Sequence, residues 1–223
     1  MIQIIPSILV PSEKDFLEQV ESVEDILSII QIDIADGKFV PNTTWSYSDE
    51  APEIVTENLN IDCELHLMVE DPLAVVRKWT DVSQVKRVLV HYESNPEEIA
   101  EILAQIHSYG WEVSVVLNPD TLIDVVEDFI EEIDGIMFMG VKPGFQGQEF
   151  VPEVLDKIKT FNKKYPNHFV EIDGAVNEDT LPGLIEAGVD GICPGSSIFG
   201  NDREPKENVK RIKELINTLT KKS

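Results

Sequence analysis

The sequence predicts a (β/α)8 barrel, an α/β fold, from the alternation of its elements, its length and its uniform composition. Eight short β-type runs, residues 3–9, 29–34, 63–69, 87–90, 112–117, 135–139, 169–172 and 191–194, alternate with eight segments of helical pattern. Parallel strands need a crossover each time, so this alternation points to a parallel sheet, closed as a barrel or open and doubly wound. The 223 residues suit a compact barrel, and no linker, low-complexity tract or second composition zone interrupts them, so residues 1–223 are expected to form one domain.

Several helices announce themselves by caps and spacing. Asn95-Pro96-Glu97-Glu98 offers a cap, a first-turn proline and acids at the positive dipole end, after which Ile99, Ile102, Leu103 and Ile106 share a face. Val151, Val154, Leu155, Ile158 and Phe161 repeat that spacing, as do Val209, Ile212, Ile216 and Leu219. Gly110 and Gly188 are expected to stop helices, the latter one that begins near Asn177. The longest loop, residues 35–46, follows the second strand, on what would be the catalytic face of a barrel.

Composition limits the function. With 18 basic and 42 acidic side chains the formal charge is −24, which repels phosphate backbones and anionic lipid heads, so neither nucleic acid nor membrane is an expected partner. A small anionic substrate remains open, provided that local backbone amides overcome the global field. No apolar run approaches the ~20 residues of a membrane span and the first residues lack a basic signal region, so a cytoplasmic location is expected. Cys63 and Cys193 have no metal-like spacing and read as buried free thiols; His91 reads as a satisfied structural residue, and His107 and His168 as surface residues.

Strand alternation places chemistry in the core. Gln31, Asp33 and Ala35 share one face of the second strand and Ile30, Ile32 and Ile34 the other. Glu64, His66 and Met68 oppose Cys63, Leu65 and Leu67, and Glu171 and Asp173 oppose Val170 and Ile172. If the apolar sets face the helices, Asp33, His66 and Asp173 converge at the C-terminal ends of three strands, where barrel chemistry usually sits. Two buried carboxylates beside an imidazole need protonation or a cation, and a divalent metal satisfies all three; the alternative is that each acid pairs with a neighbouring Lys or backbone amide. Glycine-rich loops follow the sixth strand (residues 140–148), the seventh (Asp173-Gly174-Ala175) and the eighth (residues 195–200), a pattern suited to cradling phosphate.

The ordered set Pro6-Ser7-Ile8-Leu9, Ile32-Asp33-Ile34-Ala35-Asp36-Gly37-Lys38-Phe39-Val40-Pro41-Asn42, His66-Leu67-Met68-Val69, Leu117-Asn118-Pro119, Pro143-Gly144-Phe145-Gln146-Gly147-Gln148-Glu149-Phe150, Asp173-Gly174 and Gly195-Ser196-Ser197-Ile198-Phe199 resembles the ribulose-phosphate 3-epimerase family along nearly the whole chain. The resemblance implies a cytoplasmic isomerase of the pentose phosphate pathway that self-associates and inverts C3 of ribulose 5-phosphate. It makes Asp33 and Asp173 the two proton-transfer groups, and Asp33, His66 and Asp173 ligands of a divalent metal, zinc first, with iron, manganese or cobalt as alternatives. The metal would stabilise an enediolate. Ser7, Met68 and Met139 would contact the sugar, and Gly144, Gly147, Gly174, Gly195 and Ser196 the phosphate. Departures from the family pattern mark the chain as divergent. Gln31 stands where a fourth ligand, His, is usual; Ala35 replaces a methionine wall, Lys38 a histidine, and Gln146 and Ala175 replace glycines. Gln31 implies weaker or absent metal binding, and Ala35 implies room for another ketose phosphate such as a hexulose 6-phosphate. A non-catalytic phosphosugar-binding protein is the third alternative.

Overall fold

The computed structural model describes residues 2–144 and 147–221. Its strands are β1 (Gln3–Ile4), β2 (Ser7–Ile8), β3 (Ile29–Ala35), β4 (Asp62–Met68), β5 (Val85–His91), β6 (Glu112–Leu117), β7 (Gly135–Met139), β8 (Phe169–Asp173) and β9 (Gly191–Cys193), every pairing parallel. Their ends lie within two residues of the expected ones, but the first expected strand is divided at Pro6. Pro6 has no N–H to give a ladder, and its carbonyl instead accepts from the Gln31 N–H at 2.9 Å, while the Ile5 and Ser7 N–H groups donate to Ile192 and Pro194. The first segment is thus bonded to β9 on one side and β3 on the other, which closes the sheet into a barrel and excludes the open alternative.

The outer layer comprises α1 (Glu13–Glu21), α2 (Ala51–Asn58), α3 (Pro72–Trp79), α4 (Ile99–His107), α5 (Glu153–Lys164), α6 (Leu181–Ala187), α7 (Ser196–Phe199) and α8 (Pro205–Thr220). Gly188 caps α6 at φ 90°, as expected. Two expectations fail. Residues 95–98 form a turn before α4, because the Asn95 amide donates to the Glu70 carbonyl instead of capping the helix. Between β6 and β7 there is no α-helix, only the 3-10 turns Ile123–Val126 and Ile130–Glu132. That stretch opens on Pro119 and carries Asp120, Asp124, Asp128 and adjacent β-branched Val125 and Val126, all poor helix formers.

The alternation within strands holds. Ile30, Ile32, Ile34, Leu65, Leu67, Val170 and Ile172 pack in the main core between barrel and helices, whereas Ile5, Leu89, Val116, Met137 and Met139 form a separate apolar cluster. Gln31, Asp33, Glu64, His66, Arg87, Glu171 and Asp173 are also buried. Arg87, unremarked in the sequence, enters the barrel and donates to Glu64 Oε2 and Glu171 Oε1, each at 3.0 Å, and to Glu112. Gly191 makes room for this group, since a Cβ there would lie 2.8 Å from Glu171 Cγ.

One guanidinium serves three carboxylates, so burial prevails at Glu171 and pushes its carboxyl up to about 7 despite Arg87; Glu64 is pushed up likewise. A carboxyl whose folded value exceeds its unfolded one stabilises the fold fully below about 4.5 and loses that contribution as pH rises through about 7. The expected outcome is that melting temperature falls less between pH 4.5 and 7.5 in Glu171→Gln than in the wild type, because the amide permanently supplies the acid proton's donor. Parallel melting curves across this range would rule out a proton held by the pair.

Candidate active site

The C-terminal ends of β3, β4 and β8 bring together the three residues expected there. Asp33 and His66 are register neighbours, with His66 Nδ1 at 2.8 Å from Asp33 Oδ1 and 3.5 Å from Asp173 Oδ2. Gln31, one inward position deeper, is completely buried, and its amide nitrogen donates to Asp33 Oδ1 at 2.8 Å and Asp173 Oδ2 at 2.9 Å. Its two hydrogens are thereby used, and the same nitrogen lies 3.3 Å from His66 Nδ1. The amide NH2 therefore stands among the donor atoms of the triad, while Gln31 Oε1 is buried without a partner.

Charge is finely balanced here. Burial pushes Asp33 up to about 6, opposed by the hydrogen bond from His66 and reinforced by the charge of Asp173. Burial disfavours the imidazolium of His66, but hydrogen bonds to Asp173 and Asp33 and their charges outweigh it and raise His66 to about 10. One ligand atom from each of Asp33, His66 and Asp173 lies within 4.8 Å of the others, a grouping able to hold a divalent cation. Turning the Gln31 amide over would exchange its NH2 for the unpartnered Oε1, so the donor set fits such an ion with an amide oxygen as fourth group. Glu64, Glu171 and Cys193 form a second close group, but Arg87 already bridges its carboxylates.

Above the triad opens a narrow cleft with a cavity volume of about 40 Å³. Ser7, Asp33, His66, Met68, Met139 and Asp173 line its floor and walls. Gly144, Gly147, Gly174, Gly195 and Ser196 also line it, so the expected site residues meet in one place except Gln31, which lies beneath. Phe145 and Gln146 of the intervening loop lie outside the described residues. Gly174 has φ 101°, and a Cβ on it would lie 2.6 Å from Val141. Ala175 adopts φ 54°, so the position does need a left-handed residue, at a cost of about 1 kcal/mol for alanine. The turn is held by the Thr180 hydroxyl and the Asn177 amide, which both donate to the Ala175 carbonyl.

Other expectations are corrected. Ala35 does not itself line the cleft: it is completely buried in a cluster with Val40 and Met68, against which Leu9 and Phe39 pack. His168 is half-buried, not superficial, and its Nε2 sits 3.1 Å from the Ile130 carbonyl; His107 is exposed as expected. His91 is fully buried, 2.9 Å from His66 Nε2 and 3.3 Å from Glu93 Oε2. Both cysteines are buried and free, and Cys193 also lines the cleft.

Comparison with known proteins agrees with this geometry. A family model described as the ribulose-phosphate 3 epimerase family matches residues 3–199. Ribulose-phosphate 3-epimerase of Bacillus subtilis is 33% identical over 215 residues, covering 92% of this chain and 96% of that protein. The Aquifex aeolicus enzyme of the same name is 29% identical, with 95% of each chain covered. Among solved structures, KGPDC from Streptococcus mutans superposes with a TM-score of 0.76 at 13% identity, over 98% of both chains. The 3-hexulose-6-phosphate synthase of Salmonella typhimurium does so with 0.74 at 14%, over 98% of this chain and 100% of that one; both share the fold. With its barrel closed, its candidate residues gathered at the strand ends and this match over most of its length, the chain belongs to the ribulose-phosphate 3-epimerase family of isomerases.

Proposed function

We propose that this chain epimerises a ketose phosphate at C3, converting ribulose 5-phosphate to xylulose 5-phosphate by two-carboxylate proton transfer. The observation that carries the reading is the pair Asp33 and Asp173, two carboxylates lining one narrow cleft and tied to the same Gln31 amide. A non-catalytic phosphosugar binder would have no use for two desolvated carboxylates. Inversion needs a base on one face of the sugar and an acid on the other, and the two residues exchange those roles with the direction of reaction. Asp33, with a value near 6, is suited to accept and return a proton near neutral pH.

Met68 and Met139 present apolar walls that would keep water from the carbanionic centre, and the Ser7 hydroxyl would bond the sugar. Backbone N–H groups at Gly144, Gly147, Gly174, Gly195 and Ser196 would hold the phosphate, an arrangement supported by the positive φ of Gly144, Gly147 and Gly174. A divalent ion held by Asp33, His66 and Asp173, with Gln31 as an oxygen donor, would supply Lewis-acid stabilisation of negative charge on the sugar oxygens. Zinc suits the nitrogen and carboxylate donors, and an amide in place of a fourth imidazole weakens that preference. A place in the pentose phosphate pathway, a cytoplasmic location and self-association into a homo-oligomer belong to the same proposal, supported by the family match and the buried free thiols.

Asp33→Asn and Asp173→Asn are each expected to lose about 10²–10⁴-fold in epimerisation rate, with melting curves still cooperative, since the amide keeps volume but cannot carry the proton. Turnover within tenfold of wild type in either variant would refute the two-carboxylate assignment. Gln31→His supplies the imidazole that zinc prefers, so zinc titrated into chelator-stripped protein should bind at least about tenfold more tightly than to the wild type. Equal affinity would mean that residue 31 does not touch the ion.

A further inference from the structure

A buried line of hydrogen-bonding groups runs away from the cleft behind His66. His66 Nε2 meets His91 Nε2 at 2.9 Å, and His91 Nδ1 meets Glu93 Oε2 at 3.3 Å. Glu93 Oε1 accepts the Asn118 N–H at 2.8 Å and the Thr121 hydroxyl. The His91 ring is fully buried and packs against Phe39 and His66, at centroid distances of 4.8 and 5.0 Å. Neither ring nitrogen of His91 reaches the cleft, so its use must lie in what it does to its neighbour.

We propose that Glu93 and His91 are positioning residues that fix the tautomer of His66, holding its proton on Nε2 so that Nδ1 is the nitrogen available to a cation or proton in the cleft. A short contact between two imidazole nitrogens carries a single hydrogen, and both ends bear on its direction: a charged His66 donates from Nε2, and the far end of the line determines whether His91 Nε2 is bare to accept it. The backbone N–H of Asn118 can only donate, which makes Glu93 Oε1 an acceptor. Burial alone would favour the neutral acid, but hydrogen bonds from His91, Thr121 and Asn118 hold Glu93 below the usual carboxylate range, and Lys157 lies close enough to feel its charge. An ionised Glu93 requires the His91 proton on Nδ1, which leaves His91 Nε2 bare and obliges His66 Nε2 to donate. His66 Nδ1 then faces Asp33 and Asp173, and loses or gains its own proton without any change of tautomer.

Glu93→Gln tests this with little change of shape. The single amide oxygen is retained by Asn118 and Thr121, so the NH2 turns to His91 Nδ1 and reverses the line. His91 then donates from Nε2, and His66 must carry its proton on Nδ1. In wild-type protein with 15N-labelled histidine, the expected spectrum has His91 Nδ1 and His66 Nε2 protonated and His91 Nε2 bare. In Glu93→Gln, His66 Nε2 becomes bare, and zinc binding measured by chelator competition weakens about 10–100-fold. A protonated His91 Nε2 in the wild type, or an unchanged His66 tautomer in the variant, overturns the proposal. The zinc comparison rests on the metal-holding reading above, whereas the nitrogen shifts do not. Failure of one is therefore distinguishable from failure of the other.

Discussion

Burying a carboxylate costs several kcal/mol unless a partner replaces its water, and the interior of this barrel holds four: Asp33, Asp173, Glu64 and Glu171. The compensation comes in two layers. Deep in the barrel Arg87 reaches Glu64 and Glu171, and Gly191 clears the space that Glu171 needs. Nearer the mouth the Gln31 amide and the His66 ring link Asp33 to Asp173. The deeper layer is a closed arrangement away from the cleft; the upper one forms its floor, where bonds can be exchanged for those of a ligand.

That difference explains why Gln31 is the most informative departure from the family pattern. As an NH2 donor it holds the two carboxylates together, and as a carbonyl it could contribute to a cation site, with only a rotation of the amide between the two. Imidazole in the same position would offer a lone pair or a donor by its tautomer, and would bind a borderline ion better. The upper layer therefore stands with the amide alone in place, and metal affinity becomes the property most sensitive to residue 31.

Much of this is legible in the sequence because the side-chain period of a strand is two. That rule alone separates Asp33, His66, Glu64, Glu171 and Asp173 from the apolar residues that face the helices, and the glycines after the last three strands mark the anion end. His91 escapes it because the apolar pattern marks only residues 87–90 as strand, and Arg87 escapes it because, at the first position of so short a run, it has no alternation before it to set its face. The true extent, Val85–His91, puts Arg87, Leu89 and His91 on the inward face together. Leu122, Val125, Val126 and Phe129 have helical spacing, yet the segment is spent in 3-10 turns, so spacing outweighs composition in the expectation. At Ala175 the signal lies in the glycine it replaces, since a left-handed backbone is not written in an alanine itself.

Abstraction of the C3 proton is the central chemical claim, and it is measured most directly by exchange. Ribulose 5-phosphate incubated with the wild-type protein in heavy water should lose its C3 proton resonance, with deuterium entering at C3 as xylulose 5-phosphate appears. A protein that binds the sugar phosphate and leaves the C3 proton in place would contradict the account and return the site to a binding role.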